Sequence, residues 1–245
     1  MSSMWTRVTA FRERLRRTSP VIPLLLLTLA SCRAAPQPNA FPKANRDVAP
    51  IVGDSYSTED VRDRVGEAEE VMRLAGIVPG MSVADVGAGE GYYTVRLSPL
   101  VGPRGRVLAQ DIVPETRDLL AQRVQRENMD NVAVRLGQPA NPLLPPHSFD
   151  RIFLVHMYHE VTQPYEFLWH LRDGLKEGGL IVVVDADRTV KRHGMQPRQL
   201  VCEFAKLGLS PVKSSRLAGG DAYFMEFKVA APRPLPGQIK ACGKV

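Results

Sequence analysis

An open α/β sheet, mostly parallel and covered by helices on both faces, is the fold class that this sequence predicts. Three observations carry the prediction. The run Val83-Ala84-Asp85-Val86 stops at Gly87-Ala88-Gly89-Glu90-Gly91, and Tyr92 to Leu97 follows as the first turns of a helix. Glycine serves where the backbone turns sharply or must approach a ligand with no side chain in the way, so strand, loop and helix read as the opening of a nucleotide-binding βαβ unit. A second apolar strand, Val107-Leu108-Ala109-Gln110-Asp111, ends in an acid 20 residues after Gly91. A carboxylate so placed accepts hydrogen bonds from both hydroxyls of a ribose. The third observation is Leu180-Ile181-Val182-Val183-Val184, five apolar residues in succession, as a strand buried on both faces requires.

The glycine spacing separates one cofactor class from another. A dinucleotide site wants GxGxxG, whose third glycine would fall at Tyr92. The actual pattern, Asp85-x-Gly87-x-Gly89-x-Gly91, resembles the first motif of the class I S-adenosylmethionine-dependent methyltransferases. That resemblance implies a Rossmann-like fold with a seven-stranded, mostly parallel sheet and an antiparallel closing strand. It also implies S-adenosylmethionine as cofactor, held by Asp85, Gly87, Ala88, Gly89, Gly91, Asp111, Ile112, Gln138 and Val155.

The 245 residues, 44% of them hydrophobic, suit one globular domain with extensions. The formal charge of +6 is uneven, because Arg7, Arg12, Arg14, Arg16 and Arg17 stand against Glu13 alone in residues 1–31. The remainder carries no basic cluster of the kind a nucleic-acid partner needs. This Arg-rich segment precedes Val21 to Ala30, a run too short to span a bilayer as a helix, for which about 20 residues are needed, but fit for a signal-peptide core. It ends in Leu29-Ala30-Ser31-Cys32, which resembles the lipobox of bacterial lipoproteins. The expectation is a leader over 1–31 and a domain held outside the cytoplasm, at the envelope membrane, by an acylated Cys32. Residues 32–50, rich in Pro, Ala and Asn, read as an extended tether.

The domain is expected over 51–231. Ser57 suits an N-cap, with Glu59 and Asp60 in the first turn. Val61, Val65, Ala68, Met72 and Ala75 share one helical face up to Gly76. Pro114 starts a helix to about Glu127, and Val132 to Leu136 forms a third strand. Gly137-Gln138-Pro139 follows where the family usually carries Gly-Asp-Ala; an amide oxygen at Gln138 still accepts a bond from an adenine amine, without charge assistance.

Phe149 to Val155 is a fourth strand, and His156-Met157-Tyr158-His159-Glu160 lies past its carboxyl end, where ligands bind in open α/β sheets. His159, or His156, is the candidate base for a protic methyl acceptor, since an unperturbed imidazole titrates near neutrality. Two histidines with a neighbouring acid also suit a metal, but no third ligand stands at suggestive spacing, so no metal is expected. Tyr165 to Leu175 reads as a helix. Leu175-Lys176-Glu177-Gly178-Gly179 resembles the family's turn before the fifth strand, and 186–196 reads as a polar, mobile loop. Pro197 to Leu207 is a helix, and Pro211 to Leu217 with Tyr223 to Val229 closes the sheet. A loose tail follows from Pro232. Cys202 and Cys242 suit either a disulfide outside the cytoplasm or buried free thiols.

The activity implied is methyl transfer to a small-molecule or lipid-like acceptor. Two other readings are a binding or structural lipoprotein that keeps the fold without the chemistry, and a nicotinamide-dependent oxidoreductase. Tyr92 and the glycine spacing disfavour the second.

Overall fold

The computed structural model describes residues 40–51, 59–218 and 220–243. The Arg-rich segment, the apolar run, Cys32 and Ser57 lie outside the described residues, as do the expectations attached to them. Seven strands form one sheet: β1 (Ser82–Val86), β2 (Arg106–Asp111), β3 (Val132–Leu136), β4 (Phe149–Val155), β5 (Leu175–Ala186), β6 (Leu209–Arg216) and β7 (Ala222–Val229). Their order is β3-β2-β1-β4-β5-β7-β6. The first five pair in parallel, and β7 runs antiparallel to both β5 and β6. The chain winds outward from β1 in one direction and, from β4, in the other. The loops leaving the carboxyl ends of β1 and β4 therefore part and open a crevice.

Side-chain alternation along each strand divides the core in two. Ala84, Val86, Leu108, Ile152, Leu154, Ile181 and Val183 belong to a cluster with Leu168 and Leu171 of α5 (Pro164–Leu171) and Leu200 and Phe204 of α6 (Pro197–Ala205). Val83, Val107, Phe153, Val182 and Val184 belong to a second cluster with Leu97 and Val101 of the helix after the glycine loop. Both faces of β5 are thus buried, and its continuous apolar run is the visible consequence in sequence.

The helix expected up to Gly76 is two helices, α1 (Glu59–Val65) and α2 (Glu67–Leu74). Gly66 interrupts them in the left-handed region at φ 67°, a conformation open to glycine at little cost. Ala68, Met72 and Ala75 are buried as the spacing predicts, whereas Val61 and Val65, beyond the break, are exposed. The remaining helices are α3 (Tyr92–Val101) and α4 (Pro114–Arg126). Gly178 is not in a turn before β5 but inside the strand, at φ 74°, beside a register shift between Phe149 and Arg151.

Two segments expected to be loose are packed. Residues 41–50 lie on the domain: Phe41 meets the Trp169 ring edge-on, Ala49 is buried, and Asn45 donates to the carbonyl of Cys242. Composition misled here, because one aromatic and one arginine suffice to dock a segment with no periodicity. At the other end, Trp169 Nε1 donates to Pro234 O, Ile239 is buried, and Cys242 is joined to Cys202 by a disulfide. Among the described residues, no helix is long and apolar enough to cross a membrane.

Candidate active site

The glycine loop after β1 is held by the neighbouring strand, since the amides of Gly87 and Ala88 both donate to Gln110 O. Gly87, Gly89 and Gly91 all have positive φ. A Cβ at Gly87 would stand 2.9 Å from Met157 Cγ, while one at Gly89 would meet no atom within 4 Å. Gly89 lines a cavity of about 380 Å³ at the carboxyl edge of the sheet. Its lack of a side chain therefore keeps space for a ligand, and that of Gly87 makes room for protein. Gly91 has a packing role: it precedes α3, and a Cβ there would collide with Leu120.

Asp111 stands at the end of β2 with its carboxylate fixed by two backbone amides, Gly89 N to Oδ2 at 3.0 Å and Val113 N to Oδ1 at 2.9 Å. Asp85 is buried, accepts a 2.6 Å bond from Thr94 Oγ1, and has its pKa pushed up to about 6, chiefly by burial and only partly offset by that bond. Asp85, Gly87, Ala88, Gly89, Asp111, Ile112 and Val155 all line the cavity. Gln138 does not. It is exposed in a tight turn bridged to Asn141, and its neighbour Pro139 reaches the cavity wall in its place.

His156 and His159 also line the cavity but belong to different clusters. His156 Nε2 lies 3.1 Å from Glu67 Oε2, and Arg62 and the Tyr93 hydroxyl bond the same glutamate. Burial alone would raise the Glu67 pKa. The hydrogen bond and charge of His156, together with the charge of Arg62, overcome it and hold the carboxyl down at about 2. Arg62 stacks over Tyr92, 3.9 Å from the ring centroid, so α1 walls one side of the cavity.

His159 sits on a 3₁₀ turn (Tyr158–Glu160) after β4. Its Nδ1 lies 3.0 Å and 3.1 Å from the two oxygens of Asp185, on the last turn-facing stretch of β5, and both side chains are buried. A carboxylate can only accept, so Nδ1 carries the hydrogen and Nε2 is the nitrogen left for chemistry.

The turn is fixed from behind by a segment that sequence reading assigned to a tether. The Arg46 guanidinium donates to the carbonyls of Tyr158, His159 and Val161, and Ala49 N donates to His159 O. Loop 186–196, expected to be mobile, is tied by Met195 N to Ala186 O and Arg188 Nε to His193 O. That closure brings His193 to the cavity, with its ring 5.7 Å from that of His159. Asp185, Arg46 and His193 were missed in sequence. Asp185 alone left a signal, as an acid closing a buried strand.

Residues 83–179 match the family model described as "Methyltransferase domain". The chain is 31% identical over 111 residues to the protein-L-isoaspartate O-methyltransferase of Methanococcoides burtonii, covering 45% of this chain and 51% of that one. It is 37% identical over 84 residues to the nocamycin O-methyltransferase of Saccharothrix syringae, 34% of this chain and 30% of the relative. The chain thus spans about half the length, or less, of these curated relatives. Its fold is similar to that of a SAM-dependent methyltransferase from Aquifex aeolicus, with TM-score 0.64, 23% identity and coverage of 69% and 93% of the two chains.

Proposed function

We propose that the chain, whose residues 83–179 match a methyltransferase domain, is a class I S-adenosylmethionine-dependent methyltransferase that methylates an oxygen-bearing acceptor. The observation that carries the proposal is the pairing, on one cavity, of a pre-fixed Asp111 beside an open Gly89 with a His159 whose reactive nitrogen is selected by Asp185. Asp111 takes the ribose hydroxyls, and the loop from Gly87 to Gly89 leaves room for the cofactor's chain. Ile112 and Val155 supply apolar walls. S-adenosylmethionine, when bound, supplies an electrophilic methyl group on a sulfonium sulfur.

The protein's own contribution is first alignment, which by itself lowers a displacement barrier substantially. It is also proton removal. His159 Nε2 accepts the proton of a hydroxyl or acid acceptor, and Asp185 stabilises the imidazolium that forms. The named activities of the two relatives, both O-methyltransferases, support an oxygen acceptor. His156, engaged with Glu67, serves the wall of the cavity.

The same proposal extends to location. The leader, the lipobox-like Leu29-Ala30-Ser31-Cys32 and the Cys202–Cys242 disulfide support an exported, acylated protein at a bacterial envelope. Calorimetric titration of the purified chain with S-adenosylmethionine, S-adenosylhomocysteine and NAD tests the cofactor. Binding of the first two and not the third is expected. Binding of NAD alone would return the oxidoreductase reading, and binding without methylation of any envelope component would return the non-catalytic one.

A further inference from the structure

His159, Glu160 and His193 each present one ligand atom to a common point, and these three atoms all lie within 4.8 Å of one another. Glu160 Oε1 is 4.0 Å from His159 Nε2 and 4.0 Å from His193 Nδ1. Those separations are too long for hydrogen bonds. Ligands at about 2.0–2.1 Å from a tetrahedral zinc ion stand roughly 3.4 Å apart, so side-chain shifts of under about an ångström would close the set.

The surroundings match what a metal-binding imidazole needs. His159 Nδ1 is already committed to a buried carboxylate, Asp185, which fixes the tautomer and aims Nε2 at the cluster. A carboxylate behind a ligating histidine is the usual orienting partner. Two carboxylates, Glu160 and Asp185, balance a dication in a site otherwise built of neutral imidazoles. The elements converge for a structural reason: His159 and Glu160 ride the turn after β4, and His193 rides the closed loop after β5. Both leave the carboxyl edge of the sheet beside the cavity.

We propose that His159 Nε2, Glu160 and His193 Nδ1 bind one divalent cation of the zinc class, with an open coordination position facing the cavity. Two imidazoles and one carboxylate favour zinc, iron(II) or cobalt(II) over the oxygen-seeking magnesium and calcium ions. The open position would take the acceptor's oxygen and lower its pKa, the proton passing to solvent through the cavity mouth; with a cation seated His159 would act as ligand, and the metal would replace it as the source of acceptor activation. Only this last role rests on the methyl-transfer reading; binding of the ion does not.

The test uses the full chain, stripped with a chelator, and titrated with Zn²⁺ by calorimetry and with Co²⁺ by visible absorption. One equivalent is expected to bind, and His193→Ala and Glu160→Gln are each expected to weaken binding at least tenfold, while His147→Ala, at an exposed site, changes nothing. Absence of stoichiometric binding, or binding equally strong in both variants, would overturn the inference. Thermal melts check that the variants fold, and S-adenosylmethionine titration of the same samples keeps the two readings apart. Cofactor binding without zinc binding defeats the metal site alone, and zinc binding without cofactor binding defeats the cofactor assignment alone.

Discussion

Arg46 Nε lies 2.9 Å from Glu203 Oε1, joining residues 157 positions apart, and both side chains are almost wholly buried. The Glu203 carboxylate also accepts from the Tyr158 hydroxyl and Gln199 Nε2. One buried ion pair thus links the segment at 41–50, the turn bearing His159 and helix α6. Removing one member leaves an uncompensated buried charge, which costs about 3–5 kcal/mol. Arg46→Met is expected to lower urea-unfolding stability by that order and to slow turnover by releasing the turn. The double variant with Glu203→Gln should regain part of the stability but none of the rate, since the carbonyls of Tyr158, His159 and Val161 still lack the bonds from Arg46 that fix the turn.

Asp111 and Gly89 test the cofactor assignment. A hydrogen bond to a charged group contributes roughly 1.5–3 kcal/mol, so Asp111→Ala should weaken S-adenosylmethionine binding by at least about tenfold. The structure adds a cost in stability, because the amides of Gly89 and Val113 lose their acceptor. Gly89→Val should abolish binding by filling the space no protein atom occupies, with further strain at φ 56°. Calorimetry and thermal melts on the two variants check both statements.

His159 and Asp185 act as one unit. His159→Ala should slow turnover about 10²–10⁴-fold with cofactor affinity little changed. Asp185→Asn should slow it as well, because an amide can present its donor to Nδ1 and select the wrong tautomer. His156→Ala should instead disturb the Glu67 cluster and lower stability. Parallel single-turnover assays and melts distinguish the three patterns.

Asp85 carries a stability cost at neutral pH. Its folded pKa, about 6, stands above the ordinary 3.8, so folding favours the protonated form. Ionisation then opposes folding: the cost is absent below about 3.8, grows between 3.8 and 6, and is complete above 6. Asp85→Asn should therefore raise the melting temperature at pH 8 by roughly 5 °C and leave it nearly unchanged at pH 4. Equal effects at both pH values would show that the carboxylate's charge is not the cause.

The disulfide and the anchor bear on location. Closing a 40-residue separation by the Cys202–Cys242 bond stabilises by about 3–4 kcal/mol in the chain-entropy view. Reductant should lower the melting temperature of the wild type and leave Cys202→Ser with Cys242→Ser unaffected. Acylation is read by labelled palmitate, which should enter the wild-type chain in cells and not Cys32→Ser.

The strand-loop-helix opening, the acid at 111 and the doubly buried fifth strand were legible in sequence because each is local. A run of consecutive apolar residues, or glycines at alternate positions, records constraints that the chain meets within a few residues. Periodicity likewise placed Ala68, Met72 and Ala75 inward, and failed at Val61 and Val65 only because Gly66 breaks the helix. The cavity's walls and chemistry were decided by the tertiary structure. Asp185 meets His159 across 26 positions and Arg46 meets Glu203 across 157, while His193 arrives through a closed loop. Nothing in spacing announces such partners, because the ends of β4 and β5 meet only once the two strands pair in parallel across an intervening helix. The sequence by itself determined the fold and the side of the sheet on which chemistry sits; packing alone decided which histidine is oriented, and by what.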